Sequence, residues 1–338
     1  MITVYFVNMP DESLDISKPR RRKIPKALMK LFTFSGGSLL TYRTVHTLDE
    51  KEIEVAIKRY QDIENKYPTL AQLGVVELFT LSLYKALLVE FIGSAVQCFA
   101  HIAIVNACGS FTYPPLPIGV AHAILIGFMI YFFANSSGGH FNSLISISAA
   151  STGHITWTRG VTYGIVQLFG WFVGAQSMRA VLTPEQATSI GLGGCFSGDK
   201  DLSAVTLVDW FFSSLLLFSV YGTAFNPKQR EVFGPMLPPL IIGITLGLGI
   251  FASSSFGGGT RPYTGAGMNP TLCYGILMSY SAIKDHPNPA FPDASAGYFL
   301  GPHLAIFSHY LLYRFAPPHF SKDDDESDDY HNEDRTSV

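Results

Sequence analysis

Apolar residues run along this chain in long blocks. Six of them, at about 84–107, 117–134, 160–182, 205–225, 236–256 and 295–314, reach or approach the roughly 20 residues that a helix needs to cross a hydrocarbon layer. From Phe91 to Thr158 there is no Asp, Glu, Lys or Arg in 68 successive residues. A water-soluble fold of that length would have to expose charge somewhere, so this stretch belongs in lipid. Two breaks rich in small and polar residues follow the second and fifth blocks. Each half of the chain therefore reads span, span, break, span.

The first break is Ser137-Gly138-Gly139-His140-Phe141-Asn142-Ser143-Leu144 and the second is Thr264-Gly265-Ala266-Gly267-Met268-Asn269-Pro270-Thr271, with the two asparagines 127 residues apart. Small residues permit a tight turn, Asn is a strong helix N-cap, and Pro suits a first helical position. Ser143 and Pro270 are thus the expected first residues of two half-helices. Three crossings reverse the chain's direction, so a three-span repeat must be inverted across the membrane. Its half-helices then meet near the bilayer midplane. The expected fold is an all-α membrane protein of six transmembrane helices plus two re-entrant half-helices in an inverted repeat. Two N-termini aimed at one point create a positive potential that opposes cations and protons. Asn142 and Asn269 would each offer an amide donor to a passing oxygen. Taken singly, either break reads first as a Gly-rich loop beside a helix cap; only the paired, in-register breaks point to a pore.

Charge refines the organisation. Only 14% of the residues are charged, against about 25% in soluble domains. Residues 18–30 hold seven basic groups and no acid, while residues 321–338 hold eight acids against Lys322 and Arg335. The expected division is an N-terminal cytoplasmic extension over 1–80, a channel domain over 81–317 with repeats at about 84–182 and 205–314, and an acidic disordered tail over 318–338. Leu48–Tyr67 suits an amphipathic helix. The polar N-terminus lacks a cleavable leader pattern, so the first span is expected to direct insertion. Arg159, Lys228, Arg230 and Arg314 fall on one side with the basic N-terminus, which puts both termini in the cytoplasm by the positive-inside bias.

These residues resemble the aquaporin, or major intrinsic protein, family over roughly residues 84–315. Asn142-Ser143-Leu144 and Asn269-Pro270-Thr271 stand for its paired Asn-Pro-Ala signatures. Ser137-Gly138-Gly139-His140, Glu90-Phe91-Ile92-Gly93, Tyr163 and Gln167 also match. Leu192-Gly193-Gly194-Cys195, together with Cys273 just after the second Asn-Pro, is similar to the X intrinsic protein branch. The resemblance implies a passive channel and a homotetramer with one pore per subunit. It implies no cofactor, no metal, no nucleic-acid partner and no enzymatic activity. The plasma membrane is the expected location. Its permeants would be water and small uncharged solutes such as glycerol, urea, boric acid or hydrogen peroxide.

The family's usual filter includes an Arg three residues after the second Asn; this chain has Leu272. Counting along the repeat puts His122, Gly257 and Ala266 at the other filter positions, with Ala252 to Gly257 all candidates in the fifth span. His122 is alternatively a buried histidine bonded to a neighbour. Arg261 either restores charge at the mouth or is a solvated loop cation. Glu90 and Asp209 occupy corresponding spans. They read as hydrogen-bond buttresses of the re-entrant loops, with Gln167 in a similar role, or as a proton or cation relay. Cys195 and Cys273 fall on the oxidising side, where a disulfide is possible; pairing is not readable from sequence. An ion-conducting protein and a non-conducting one acting through its tails are the alternatives to the solute channel.

Overall fold

The computed structural model describes residues 73–226, 229, 232–257, 263–281 and 293–315. The basic cluster, the Leu48–Tyr67 stretch, Lys228, Arg230, Arg261 and the acidic tail lie outside the described residues. The helices, in chain order, are α1 (Leu81–Cys108), α2 (Pro115–Phe133), the half-helix α3 (Ser143–Ser151), α4 (Trp157–Arg179), the short α5 (Pro184–Ser189), α6 (Leu202–Val220), α7 (Leu237–Ser254), the half-helix α8 (Pro270–Ser281) and α9 (Gly297–Phe315). All six expected spans are present as helices, α1, α2, α4, α6, α7 and α9, of which α1, α2, α6 with its π turn, and α7 are long and apolar enough by themselves to cross a membrane. Residues 73–80, assigned by the sequence to the N-terminal extension, pack on this body. Thr158 Oγ1 donates to the Leu73 carbonyl, and the Arg159 guanidinium meets the Glu77 carboxylate at 2.8 Å. Burial raises the Glu77 carboxyl above its ordinary range, against the lowering effect of Arg159.

Helix ends follow local chemistry. Thr80 caps α1, Thr156 caps α4 and Asp201 caps α6 through side-chain oxygens that accept backbone N–H groups, satisfying donors that have no partner within the helix. Prolines stand in the first turns of α2 and α7, where a missing N–H costs nothing. α6 runs on into a single π turn over Tyr221–Phe225.

The helices are apolar outside, and their polar side chains are turned inward among apolar core clusters. On α1, Leu88, Ile92, Val96 and Phe99 are exposed, while Glu90, Ser94, Gln97 and His101 are buried. That inversion of the soluble pattern is what lipid demands. It also removes the usual drive for packing, since lipid is as apolar as a leucine face, and close approach through small residues takes over. Gly170 and Gly174 of α4 lie against the Phe91 and Ala95 carbonyls of α1. Gly297 and Gly301 of α9 lie in the same way against Val205, Thr206 and Asp209 of α6, 127 residues further on. Between the repeats, α2 and α7 cross reciprocally. A Cβ added at Gly119 would meet the Gly247 carbonyl at 2.6 Å, and one added at Gly247 would run into the Gly119 carbonyl.

Gly247→Leu should therefore separate α2 from α7 and cost about 1–3 kcal/mol, the usual range for overpacking. Gly222→Ala, with nothing within 4 Å of the added carbon, should be close to neutral. Thermal unfolding of the purified protein in detergent compares the two.

Candidate pore and its filter

The half-helices α3 and α8 meet end to end at crossed asparagines. Asn142 caps α3, its Oδ1 accepting from Leu144 N at 2.9 Å, while its Nδ2 donates to the Met268 carbonyl at 2.8 Å. Asn269 Oδ1 accepts from Thr271 N at 3.2 Å, and its Nδ2 donates to the Phe141 carbonyl at 3.1 Å. Each amide thus bonds the carbonyl that precedes the other asparagine. An NH₂ group has two hydrogens, so each retains one after the crossing bond. Both asparagines line a central cavity.

The carbonyls reach those positions because Phe141 and Met268 are left-handed, with φ of 47° and 50°. Such a conformation strains a residue with a side chain by about 1–3 kcal/mol and persists only where its surroundings enforce it. The Phe141 ring fills the notch at Gly93, and the Met268 side chain fills the one at Gly249. The buried acids hold the backbone. Glu90 accepts from His140 N at 3.0 Å, Phe141 N at 2.7 Å, Gln167 Nε2 at 2.9 Å and the Ser137 hydroxyl. Asp209 accepts from Gly267 N and Met268 N, both at 3.0 Å, and from Ser213 Oγ at 2.9 Å. The carboxylates are fully engaged with the loops beside the asparagines. Gln167 also donates to Ser146 on α3 at 2.9 Å, and Trp171 Nε1 donates to the Phe141 carbonyl at 3.2 Å.

The cavity, of ≈ 460 Å³, passes these asparagines. Its wall is mainly aliphatic, with polar groups at the asparagines, the glycine-rich backbone, Gln97, Ser254, Tyr263, Thr264 and three histidines, of which His140 stands apart from the other two. Of the filter positions expected from sequence, His122, Ala266 and Leu272 line it and Gly257 does not. The reason is that α7 ends at Ser254. Leu246, Ile250 and Ser254 repeat every four residues on the cavity side, whereas Gly257 follows in the turn, its N–H bonded to the Ser254 carbonyl at 3.2 Å. Ser254, within the candidate stretch, is the residue there that lines the cavity.

Sequence reasoning missed His101. It lies on α1, lines the same cavity, and its Nδ1 is 2.7 Å from His122 Nε2. His101 Nε2 is 2.8 Å from the Gly193 carbonyl, and His122 Nδ1 is 2.8 Å from the Ile118 carbonyl. Its one signal is its position in a charge-free block, and a lone polar residue in a span gives no partner. Gly193 belongs to a loop turn in which Gly191, Leu192 and Gly193 all have positive φ, at 54°, 52° and 70°. Leu192 is buried among Ile102, Trp171 and Ile276, Gly193 meets the His101 ring, and Cys195 is bonded to Cys273 on α8 with Cα atoms 5.1 Å apart. The Leu-Gly-Gly-Cys tetrapeptide thereby fastens its loop to the half-helix.

Six spans around two opposed half-helices, with a cavity through their junction, make a channel-type membrane fold. The family model described as Major intrinsic protein matches residues 77–309, so the chain belongs to the major intrinsic protein, or aquaporin, family of membrane channels. It is similar to "Aquaporin TIP2-2" of Zea mays, 30% identical over 61% of this chain and 80% of that protein. It is also similar to "Probable aquaporin TIP2-2" of Oryza sativa subsp. japonica, 33% identical over 70% of this chain and 89% of that one. The fold resembles the aquaglyceroporin from Plasmodium falciparum with a TM-score of 0.55, at 17% identity, over 68% of this chain and 95% of that one. Family membership makes this a multi-pass channel protein rather than an enzyme.

If the acids act as buttresses, Asp209→Ala leaves two N–H groups unmatched and should cost about 2 kcal/mol or more, whereas Ser213→Ala removes only one donor and should cost about 1 kcal/mol or less. Denaturation midpoints of the two variants, read by thermal unfolding, check the order.

Proposed function

We propose that the chain is a passive pore, centred on Asn142 and Asn269, for small uncharged solutes such as glycerol, urea, boric acid or hydrogen peroxide, with water also passing. The observation that carries this is the filter. His122, Ser254, Ala266 and Leu272 line the cavity, and three of the four are small or uncharged. In the family's usual pattern an Arg would stand where Leu272 does. Its replacement widens the passage and removes fixed charge, which favours solutes larger than water. The aliphatic wall lets a neutral solute cross, and the asparagine amides replace part of its hydration. Engagement of Glu90 and Asp209 with loop N–H groups favours buttressing over a proton relay, and so supports the solute pore over an ion-conducting protein.

Within the family, Leu192-Gly193-Gly194-Cys195 and Cys273 favour the X intrinsic protein branch, although the maize and rice relatives are TIP-type. A loop disulfide suits an oxidising compartment on the filter side; that supports cytoplasmic termini on the other side and residence in the plasma membrane. Assembly as a homotetramer rests on family membership.

Stopped-flow light scattering of proteoliposomes against water, glycerol, urea, boric acid and peroxide tests the permeant range. Glycerol and urea should pass well above the protein-free rate, and background rates for all five would overturn the proposal. Leu272→Arg should narrow the range, lowering glycerol and urea more than water; an unchanged ranking would show that Leu272 is not part of the filter.

A further inference from the structure

The contacts of His101 and His122 set a proton count. Three polar contacts run in a chain: the Ile118 carbonyl to His122 Nδ1 at 2.8 Å, His122 Nε2 to His101 Nδ1 at 2.7 Å, and His101 Nε2 to the Gly193 carbonyl at 2.8 Å. Both ends are carbonyl oxygens, which only accept. The outer contacts therefore need a hydrogen on His122 Nδ1 and another on His101 Nε2. The middle contact needs a third, on one nitrogen or the other. Two neutral imidazoles carry only two ring N–H groups in all. A neutral pair would hold two lone pairs against each other at 2.7 Å or leave a bare ring nitrogen against a carbonyl. Flipping either ring would put C–H groups where nitrogens now meet acceptors.

From this we infer that His101 and His122 share one additional proton, and that the resulting single positive charge is the filter's barrier to cations, in place of the Arg absent at Leu272. This rests on the reading of His122 as a filter residue. The charge stands at the cavity wall, since both rings line it. The charged side chain that a neighbouring element brings nearest along the chain is Arg179 in the last turn of α4, which donates to the Ser279 carbonyl of α8 and to Gln176 Oε1. α2 presents the Ile118 carbonyl, the Gly191–Gly193 turn presents the Gly193 carbonyl, and α4 presents the Trp171 ring at 5.9 Å from His101. α8 contributes Leu272 to the same cavity, and α7 has no titratable residue. The Cys98 thiol and Tyr280 belong to the cluster behind His101 and are the other titratable groups there. Along α1, Glu90 is eleven residues away, about 16 Å by helical rise, and it is occupied by its own loop. Gln97, one turn from His101 on the cavity side, has a buried Oε1 with no protein partner. Its oxygen adds negative potential favourable to a cation beside it. Burial opposes a charge here, and two charge-assisted bonds to carbonyls, with the N–H···N bond between the rings, oppose that penalty.

Two measurements on the full chain test the inference. Nitrogen NMR of histidine-labelled protein, with the pair assigned by loss of signals in H101Q, should find three protonated ring nitrogens among the four at about pH 6, inside the window where histidine normally titrates. Two protonated nitrogens at every pH between about 5 and 8 would overturn the shared proton whether or not the pore conducts. Urea and guanidinium, close in shape but different in charge, then probe its role in proteoliposomes. Glutamine keeps a donor and an acceptor but no charge, so H101Q should raise the guanidinium-to-urea uptake ratio by about tenfold or more, the scale of a lost like-charge repulsion. An unchanged ratio beside a cationic NMR signature would overturn the pair's role as the cation barrier. Failure of wild-type urea flux alone would count against the solute-pore reading and leave the proton count from NMR standing.

Discussion

At the depth where the two half-helices meet there is neither lipid hydrogen bonding nor a continuing helix to satisfy the backbone. The rest of this structure follows from that constraint. The tips of α3 and α8 expose N–H groups and the preceding carbonyls, and each such group left unmatched in hydrocarbon costs several kcal/mol, on the order of 2–7. The crossed amides of Asn142 and Asn269 satisfy the carbonyls of Met268 and Phe141. Glu90 and Asp209 satisfy the N–H groups of the same two residues. The left-handed φ of Phe141 and Met268 is the local strain needed to aim a carbonyl forward and an N–H back. Chemically identical solutions appear in both repeats even though one acid is Glu and the other Asp.

Holding those acids at the junction requires their helices to come close, which explains where the glycines fall. Gly301 lies against the Asp209 Cβ, and Gly170 lies against Phe91 and Ser94, next to Glu90 along α1. Close helix approach and loop buttressing are thus one arrangement. A bulky side chain at these glycines would displace a carboxylate as well as a helix. The buried face of α1 is polar for the same reason. Its Glu90 serves the loop, its Gln97 and His101 line the cavity, and the lipid-facing side needs only to be apolar.

Much of this is legible in the sequence because it depends on runs and repeats. The six apolar blocks match the helices to within a few residues, since hydrocarbon thickness fixes a minimum length. The asparagine breaks are readable because Asn before Ser or Pro is a local helix-start signal repeated at a fixed interval. The Glu90 and Asp209 buttresses can be named from sequence but not separated from a relay, because the distinction lies in which N–H groups face them. Gly257 is misplaced by counting along the chain: counting assumes that α7 continues, and it stops at Ser254. His101 cannot be found that way at all. Its meaning comes from α2 and a distant loop arriving at one point of α1, and no local spacing encodes that meeting.

The two copies of the break are alike at their centre and differ beyond it, and the difference bears on the filter proposed above. Asn142 Oδ1 takes one backbone N–H, whereas Asn269 Oδ1 takes the Thr271 N–H, the Thr271 hydroxyl and the Leu272 N–H. The start of α8 is accordingly the more tightly tied. Cys273 follows one residue after Leu272, and its disulfide to Cys195 joins the loop carrying Gly193 to that same turn. Leu272, the Gly193 carbonyl and, through it, His101 are therefore fixed relative to one another by covalent and hydrogen-bonded links. A filter that relied on a single arginine would need only the half-helix for support. The filter proposed above, with a leucine, a loop carbonyl and two histidines on separate spans, needs the loop held in register, and the three left-handed residues before the cysteine, with the disulfide after them, supply that register.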